Sequence, residues 1–132
     1  MKNKATLRSV ALYDEEVSGS EGDEAVAVCD AAVTLAFSIL GKRWNGMILA
    51  ALGGGACSFS GIRRAVTGIS DAVLSDRLAE LAEAGLVSRD VDPGPPVAVA
   101  YGLTDAGRQV IPVLQQLGRW AQENLTIAHA AV

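Results

Sequence analysis

Residues 59–104 constrain the fold of this chain more than any other segment. Residues 59–66, which mix apolar side chains with two arginines, are predicted to form one short helix, and Thr67-Gly68 predicts a turn directly after it. Ser70 is a suitable N-cap for a second helix, in which leucines at positions 74, 78 and 81 recur at helical spacing. The pattern therefore predicts two consecutive helices joined by a tight turn.

Two stretches typical of strands follow the second helix. Gly85 is placed to end that helix, and residues 86–92 and 97–103 are rich in strand-forming side chains. Pro93-Gly94-Pro95-Pro96 joins them as a turn. Helix, turn, helix, strand, turn and strand in this order are the layout of a winged helix-turn-helix, which places its second helix in the major groove of DNA. The expected fold class is α+β, mainly helical.

Two further amphipathic stretches flank this unit and predict extra N- and C-terminal helices. Residues 29–40 form the first, and Thr104 is placed to cap the second, which Pro112 is expected to kink. A reader unit of this size does not need these apolar faces for its own core, so we expect them to hold a homodimer together. For the C-terminal helix, the alternative is that its apolar face packs only within its own chain. The residues expected in that interface are Val33, Phe37, Val110, Leu114, Leu117 and Trp120.

The 132 residues are expected to form one folded domain. Residues 1–28 are acidic and contain Ser/Gly positions, which is typical of a flexible arm. Residues 29–126 would be the winged domain with its dimerisation helices, and 127–132 a tail. No apolar run is long enough to cross a bilayer and no export signal is evident, so we expect a cytoplasmic protein without a membrane partner.

The overall charge and its distribution point in opposite directions. The formal net charge is −4, which argues mildly against nucleic-acid binding. Between residues 31 and 70, however, the only charged side chains are Lys42, Arg43, Arg63 and Arg64. A local basic face matters more for phosphate contacts than the charge of the whole chain. The alternative is that these four are ordinary solvated charges.

The expected DNA contacts lie on the second helix, on the helix before it and on the wing. Asp76 is placed either to accept a hydrogen bond from a cytosine amino group or to remain a solvated charge. Arg77 is placed either to bind phosphate or to cover Trp44 or Tyr101. The full set of expected contacts is Arg63, Arg64, Ser70, Asp71, Ala72, Ser75, Asp76, Arg77 and Arg89.

The cysteines and the single histidine limit the chemistry. Cys29 falls at the expected start of a helix, where the helix dipole favours a reactive thiolate, although Asp30 opposes this; the alternative is a half-buried small side chain. Cys57 is expected to pack. Two cysteines without histidine partners do not form a zinc site, and His129 alone offers no catalytic dyad. We therefore expect no metal, no cofactor and no enzymatic activity.

The ordered set of motifs resembles the HxlR family of bacterial winged-helix transcriptional regulators. The resemblance implies a homodimer that binds a two-fold related operator in double-stranded DNA, as a repressor or an activator. It also implies that a cysteine at the place of Cys29 senses electrophiles or oxidants in several members. The residues that carry the resemblance are Cys29, Leu40-Gly41-Lys42-Arg43-Trp44, Phe59-Ser60-Gly61-Ile62-Arg63-Arg64, Gly68-Ile69-Ser70, Leu74-Ser75-Asp76-Arg77-Leu78, Leu81, Gly85-Leu86-Val87, Pro95-Pro96, Tyr101-Gly102-Leu103-Thr104, Gly107 and Trp120.

Some positions depart from the family pattern. Ala72, Ala79 and Ala98 stand where longer polar side chains are usual, and Asp76 and Glu80 add negative charge near phosphates. Two functions therefore stay open. One is a DNA-binding regulator controlled by an oxidant, an electrophile or a small-molecule effector bound between subunits. The other is a degenerate winged-helix module that binds proteins without sequence-specific DNA binding.

An effector pocket would draw on aromatic and apolar side chains near the dimer interface. The same side chains could instead belong to the core of one subunit. The residues concerned are Phe37, Trp44, Leu117 and Trp120.

Overall fold

A computed structural model describes residues 20–126, with residues 20–24, 26, 28 and 29 described by their backbone only. Within this part, five helices and one two-stranded antiparallel sheet follow in the order expected for a winged helix-turn-helix. Residues from Ile39 onward form one compact unit, and the described part of the first helix up to Ser38 belongs to another. The elements are α1 (Ser20–Leu40), α2 (Asn45–Leu52), α3 (Phe59–Ala65), α4 (Asp71–Glu83), β1 (Val87–Asp92), β2 (Ala98–Leu103) and α5 (Asp105–Asn124).

The two helices of the helix-turn-helix lie where their sequences predict, except that α3 ends at Ala65, one residue before the predicted end. Ser58 Oγ accepts a hydrogen bond from the Gly61 amide at 3.0 Å, and Ser70 Oγ accepts one from the Val73 amide at 3.2 Å. Each hydroxyl thus satisfies an amide that has no partner inside its helix. Gly85 has a φ of 83° and ends α4 in the left-handed conformation that glycine adopts without steric cost.

The core of the second unit lies between α2, α3, α4 and the start of the sheet. The leucine stripe of α4 is buried as expected, and Trp44 and Tyr101 pack against the same cluster at its edge. Such burial is the main favourable contribution to folding. The buried members are Ile48, Leu49, Leu52, Ile62, Val66, Ile69, Leu74, Leu78, Leu81 and Val87.

The wing is the β1–β2 hairpin, whose register runs from the pair Val87–Leu103 to the pair Asp92–Ala98. Cys57 extends this sheet by one residue. Its amide donates to the Tyr101 carbonyl at 2.9 Å, and its carbonyl accepts from the Tyr101 amide at 2.8 Å. The Cys57 side chain is half-buried against the core, so its expected packing role is confirmed.

α5 is connected to the wing and the core through its first turns. Thr104 Oγ1 accepts from the Gly107 amide at 3.1 Å and donates to the Gly85 carbonyl at 2.6 Å, which ties the start of α5 to the end of α4. Gly107 also lies so close to Leu86 that a Cβ there would come within 2.2 Å of its carbonyl oxygen. The helix then runs through Pro112 to Asn124.

Part of the stripe assigned to the dimer interface packs inside its own chain. Val110 and Leu114 are half-buried against the hydrophobic core, together with Ile111. The expectation that α5 stands wholly outside the reader unit is therefore wrong for its first half. The reason is that α2 and β2 leave an apolar face that the beginning of α5 covers.

The first helix begins nine residues earlier than expected. α1 starts at Ser20 rather than at Cys29, because the sequence from Asp23 to Leu40 contains no glycine or proline that would stop a helix. The placement of Cys29 at a helix start is therefore wrong: it lies inside α1, and its side chain lies outside the described residues. Of the acidic arm, residues 1–19 also lie outside, as does the tail 127–132.

Among the residues that the structure describes, no helix combines the length and the hydropathy that a bilayer crossing requires.

Candidate nucleic-acid interface

The structure brings the expected reading residues of α4 onto one exposed face. Asp71, Ala72, Ser75 and Asp76 are exposed, and the N-cap Ser70 is exposed beside them. The leucine stripe lies on the opposite side of the helix and is buried. This is the arrangement that a helix needs in order to present side chains to base edges while it remains anchored to its domain.

The two arginines of α3 differ in their surroundings. Arg63 Nη1 donates to Asp71 Oδ1 at 2.8 Å, so this cation is held by the first residue of α4. Arg64 is exposed and forms no ion pair with any residue that the structure describes. The two arginines were equivalent as judged from the sequence. Of the two, Arg64 is the one without an ion pair among the described residues.

Arg77 contacts groups of its own chain, and neither Trp44 nor Tyr101 is among them. Its Nε donates to the backbone carbonyl of Arg43 at 3.2 Å, and its Nη1 lies 3.9 Å from Glu80 Oε1. The guanidinium that covers Trp44 belongs instead to Arg43, at 4.5 Å from the ring centroid. Arg77 therefore joins α4 to the segment before α2, since its long side chain leans along the flank of the helix.

The wing contributes one exposed cation to the set. Arg89 lies on β1, opposite Tyr101 on β2, and is exposed. Ala98 is the exposed first residue of β2. Arg89 is thus the basic side chain that the β1–β2 hairpin presents to solvent.

Sequence reasoning missed the environment of Glu80. The sequence predicts that its carboxylate lies among the charges near phosphate. In the structure it forms an ion pair with Lys42, and its Oε1 lies 3.5 Å from Asn45 Nδ2. The hydrogen bond from the Lys42 ammonium holds the pKa of the Glu80 carboxyl below its usual value, and the Asn45 amide adds to this against the opposing effect of burial. Glu80 therefore faces the segment between α1 and α2.

Asn45 was also missed, although the sequence contains a signal for it. Its side chain is fully buried, and its Nδ2 donates to the Ile39 carbonyl at 2.8 Å. Asn45 precedes Ile48, Leu49 and Leu52 by three, four and seven residues, so it shares their buried helical face. A single polar residue on such a face indicates a buried hydrogen-bonding role.

The basic patch is weaker than its composition suggests. Lys42 and Arg63 are each paired with a carboxylate of α4, and the Arg43 guanidinium lies over Trp44. Of the four cations between residues 31 and 70, Arg64 is the one left without such a contact among the described residues. Carboxylates of α4 thus occupy cations that phosphates would otherwise attract.

Several apolar side chains outside the core are exposed. In α1, Val33 and Phe37 are exposed, the latter by 53%. In the second half of α5, Leu117 and Trp120 are exposed, the latter by 52%. Four residues were considered either for an effector pocket or for the core of one subunit. Trp44 packs against the core. Phe37, Leu117 and Trp120 are exposed, so the interpretation as core residues is wrong for them.

An open groove of about 380 Å³ separates the end of α2 from α5. A volume of this order is at the lower end of what small-molecule sites require. The groove is lined by Ala50, Gly53, Gly54, Ile111, Leu114 and Gln115.

Comparison with protein families gives one match that covers most of the chain. The model described as HxlR-like helix-turn-helix matches residues 39–129, which include the whole helix-turn-helix and the wing. The chain therefore belongs to the HxlR-like helix-turn-helix family of DNA-binding transcriptional regulators. The matched range begins after Cys29, so the family match does not include this cysteine.

Relatives of known name support the same class. The HTH-type regulators YvaP and YodB of Bacillus subtilis are 44% and 42% identical over 88 residues, which is 67% of this chain and 82% and 79% of theirs. Both carry the name of a transcriptional regulator, and YvaP is described as uncharacterised.

Solved structures agree with the sequence matches. The reduced form of YodB superposes with a TM-score of 0.66 at 40% identity, over 70% of this chain and 90% of that one. The redox regulator HypR in its oxidised form gives a TM-score of 0.66 at 29% identity, over 72% and 98%. YodB has also been solved after diamide treatment and with bound quinone.

Proposed function

We propose that this regulator acts in the cytoplasm as a homodimer that binds a two-fold related operator, with α4 of each subunit in the major groove. The observation that carries the proposal is the exposed row Ser70, Ala72, Ser75 and Asp76, opposite a fully buried leucine stripe. A capped helix of 13 residues with one face free has the shape and length that a groove-reading helix needs.

The contacts divide by role. Arg64 and Arg89 are exposed cations suited to phosphate, and Arg63 can join them if it leaves Asp71. Ser75 and Asp76 are the short polar side chains suited to base edges, since no long amide or cation stands at Ala72 or Ala79.

The test is selection of a binding site from random DNA with the purified protein, followed by titrations on that site and on unrelated DNA. Arg64→Ala should weaken binding to both by a similar factor and reduce the salt slope by about one. Ser75→Ala should change the preferred sequence and leave the salt slope in place. Failure of the parent to select any site would favour the alternative, a winged-helix module that binds proteins.

The homodimer rests on the exposed apolar side chains of α1 and of the second half of α5. Each of these two helices exposes large apolar side chains, and none of them belongs to α4. They are Val33 and Phe37 in α1, and Leu117 and Trp120 in α5. Val110 and Leu114 are half-buried against the core of their own chain, so we assign them a smaller contribution to the dimer interface. Light scattering at micromolar concentration should give a dimer mass, and Leu117→Asp should reduce it to that of a monomer.

The control of DNA binding is proposed to be an oxidant or electrophile acting at Cys29, or else a small-molecule effector. Redox control is supported by the relatives that were solved in reduced, diamide-treated or oxidised forms. Cys57 is a weaker candidate, because it is half-buried and its backbone is paired with Tyr101. The test measures DNA binding before and after diamide treatment in the parent, Cys29→Ser and Cys57→Ser. Loss of the response in only one variant identifies that cysteine as the sensor. No response in the parent would favour a small-molecule effector.

A further inference from the structure

The segment between α1 and α2 is held to α4 by a group of directional contacts. We call residues 39–45 the joint, since α1 ends within it and α2 begins within it. Glu80 pairs with Lys42 and accepts a hydrogen bond from Asn45, and Arg77 donates to the Arg43 carbonyl. Asn45 in turn donates to the Ile39 carbonyl, so the amide that contacts Glu80 also joins the two ends of the joint.

These polar contacts constrain the position of α4 in a way that burial of its leucine stripe does not. Burial of leucines is favourable but has no direction, so it fixes which face of α4 meets the core more firmly than it fixes the slide and tilt of the helix on that core. Hydrogen bonds and ion pairs depend on angle and distance. Glu80 is only partly exposed and sits between a buried amide and two cations, so a shift of α4 would break several contacts at once.

We propose that Glu80 is a positioning residue: it sets the orientation of α4 relative to the joint, and thereby the spacing between DNA half-sites that the dimer accepts. The inference rests on the proposed function, because α1, which runs into the joint, is assigned there to the dimer interface. The orientation of α4 against the joint is then one component of the distance between the two reading helices. Glu80 would act without touching DNA.

The experiment uses the site selected by the parent and two further probes, in which the central spacer is one base pair longer or shorter. One base pair moves a half-site by about 3.4 Å and rotates it by about 34°. The parent should lose about tenfold or more in affinity on either altered probe. Glu80→Gln should reduce that loss to about threefold or less, because α4 can then reorient.

Two variants separate positioning from charge and from general stability. Lys42→Met breaks the same ion pair but changes the net charge in the opposite direction, so it should relax the spacing preference as Glu80→Gln does. Glu83→Gln removes the same charge from an exposed position of α4 and should keep the parent's ratio between probes. Loss of charge alone, or loss of stability alone, would change binding to all three probes by the same factor.

The outcomes are distinct. A relaxed spacing preference in both Glu80→Gln and Lys42→Met, with Glu83→Gln like the parent, supports the inference. A parent-like ratio in either of the first two overturns it while the proposed function stands. A parent that selects no two-fold site overturns the proposed function and this inference with it.

Discussion

α4 carries one ion pair in its first turn and another about two and a half turns later, and the two differ in their surroundings. Asp71 holds Arg63 on the outer face, where both side chains are largely exposed. Glu80 holds Lys42 on the flank, next to the fully buried Asn45. The two cations are similarly exposed, but the Glu80 side chain is 27% exposed and that of Asp71 is 64% exposed. The two pairs thus differ in their carboxylates, of which one lies in solvent and one at the edge of the core.

The surroundings predict different uses. An exposed pair contributes about 0–1 kcal/mol to stability, so Arg63 can exchange Asp71 for a DNA phosphate at little cost. The flank pair is reinforced by a buried amide and by Arg77, so breaking it also disturbs contacts in the core. The N-terminal pair, Arg63–Asp71, is therefore suited to regulating the affinity for DNA. The flank pair, Lys42–Glu80, is suited to maintaining the orientation of α4.

The largest effect is expected at Asn45, which anchors the flank pair. Asn45→Ala should lower the free energy of unfolding by about 2 kcal/mol, since the Ile39 carbonyl loses its donor and the core gains a cavity. Loss of Asn45 Oδ1, which is buried without a hydrogen-bond partner in the described part of the chain, offsets some of the cost. Urea unfolding monitored by circular dichroism measures the change.

The matched control is Asn124→Ala. Asn124 also donates from Nδ2 to a backbone carbonyl, that of Trp120 at 2.9 Å, but it is exposed at the end of α5. We expect a loss below about 0.5 kcal/mol there. Equal losses at the two asparagines would mean that burial does not distinguish the flank contacts from surface ones.

A smaller effect is expected when the N-terminal pair is broken. Asp71→Asn frees Arg63 for phosphate and removes a negative charge from the reading face, so it should raise affinity for any DNA about threefold to fivefold. The salt slope should become steeper by up to about one. Fluorescence anisotropy with labelled DNA at several salt concentrations measures both quantities.

Asp105→Asn is the control for this change. Asp105 is also an exposed acid in the first turn of a helix and is paired with Arg108, but it belongs to α5. Its replacement should leave the affinity and the salt slope close to those of the parent. A similar gain from both variants would show that net charge, rather than release of Arg63, governs the affinity.

The fold was predictable because its signals are local. Caps at Ser70 and Thr104, the glycine after α4 and the leucine stripe each depend on a few neighbouring residues, and all were confirmed. The start of α1 was not predictable in this way, because the acidic Ser/Gly composition before Cys29 suggested an arm, whereas the structure shows helix from Ser20. Composition is a weaker guide to a helix start than the absence of a residue that stops the helix.

The pairing of charges was not predictable, because it depends on which helices meet. Lys42 and Glu80 are 38 residues apart, and Arg77 and Arg43 are 34 apart, so no local pattern relates them. The packing of Val110 and Leu114 also depends on a tertiary contact, that of α5 with α2. The exposed reading face of α4 was foreseen from helical periodicity alone, whereas the partners of its charges were not.

The smallest effect is expected from acid, and it tests the flank pair without DNA. Because the pKa of Glu80 is lower in the folded protein than the usual value of about 4.3, its carboxylate stabilises the fold fully above that value. This contribution is lost as the pH falls through the lowered pKa. Glu80→Gln should therefore be less stable than the parent by about 1 kcal/mol between pH 5 and pH 8, and the difference should shrink below about pH 4.

Urea unfolding of both proteins across this range measures that difference, and Glu83→Gln serves as the control. Other carboxylates weaken the fold in acid in all three proteins, so only the difference between parent and Glu80→Gln reports on Glu80. Glu83 is exposed and forms no ion pair with the residues that the structure describes, so its variant should follow the parent curve at every pH. If the gap between Glu80→Gln and the parent stayed constant into acid, the lost contact would be a neutral hydrogen bond. The distinction between an exchangeable pair at the start of α4 and a fixed pair on its flank would then rest on Asn45 rather than on charge.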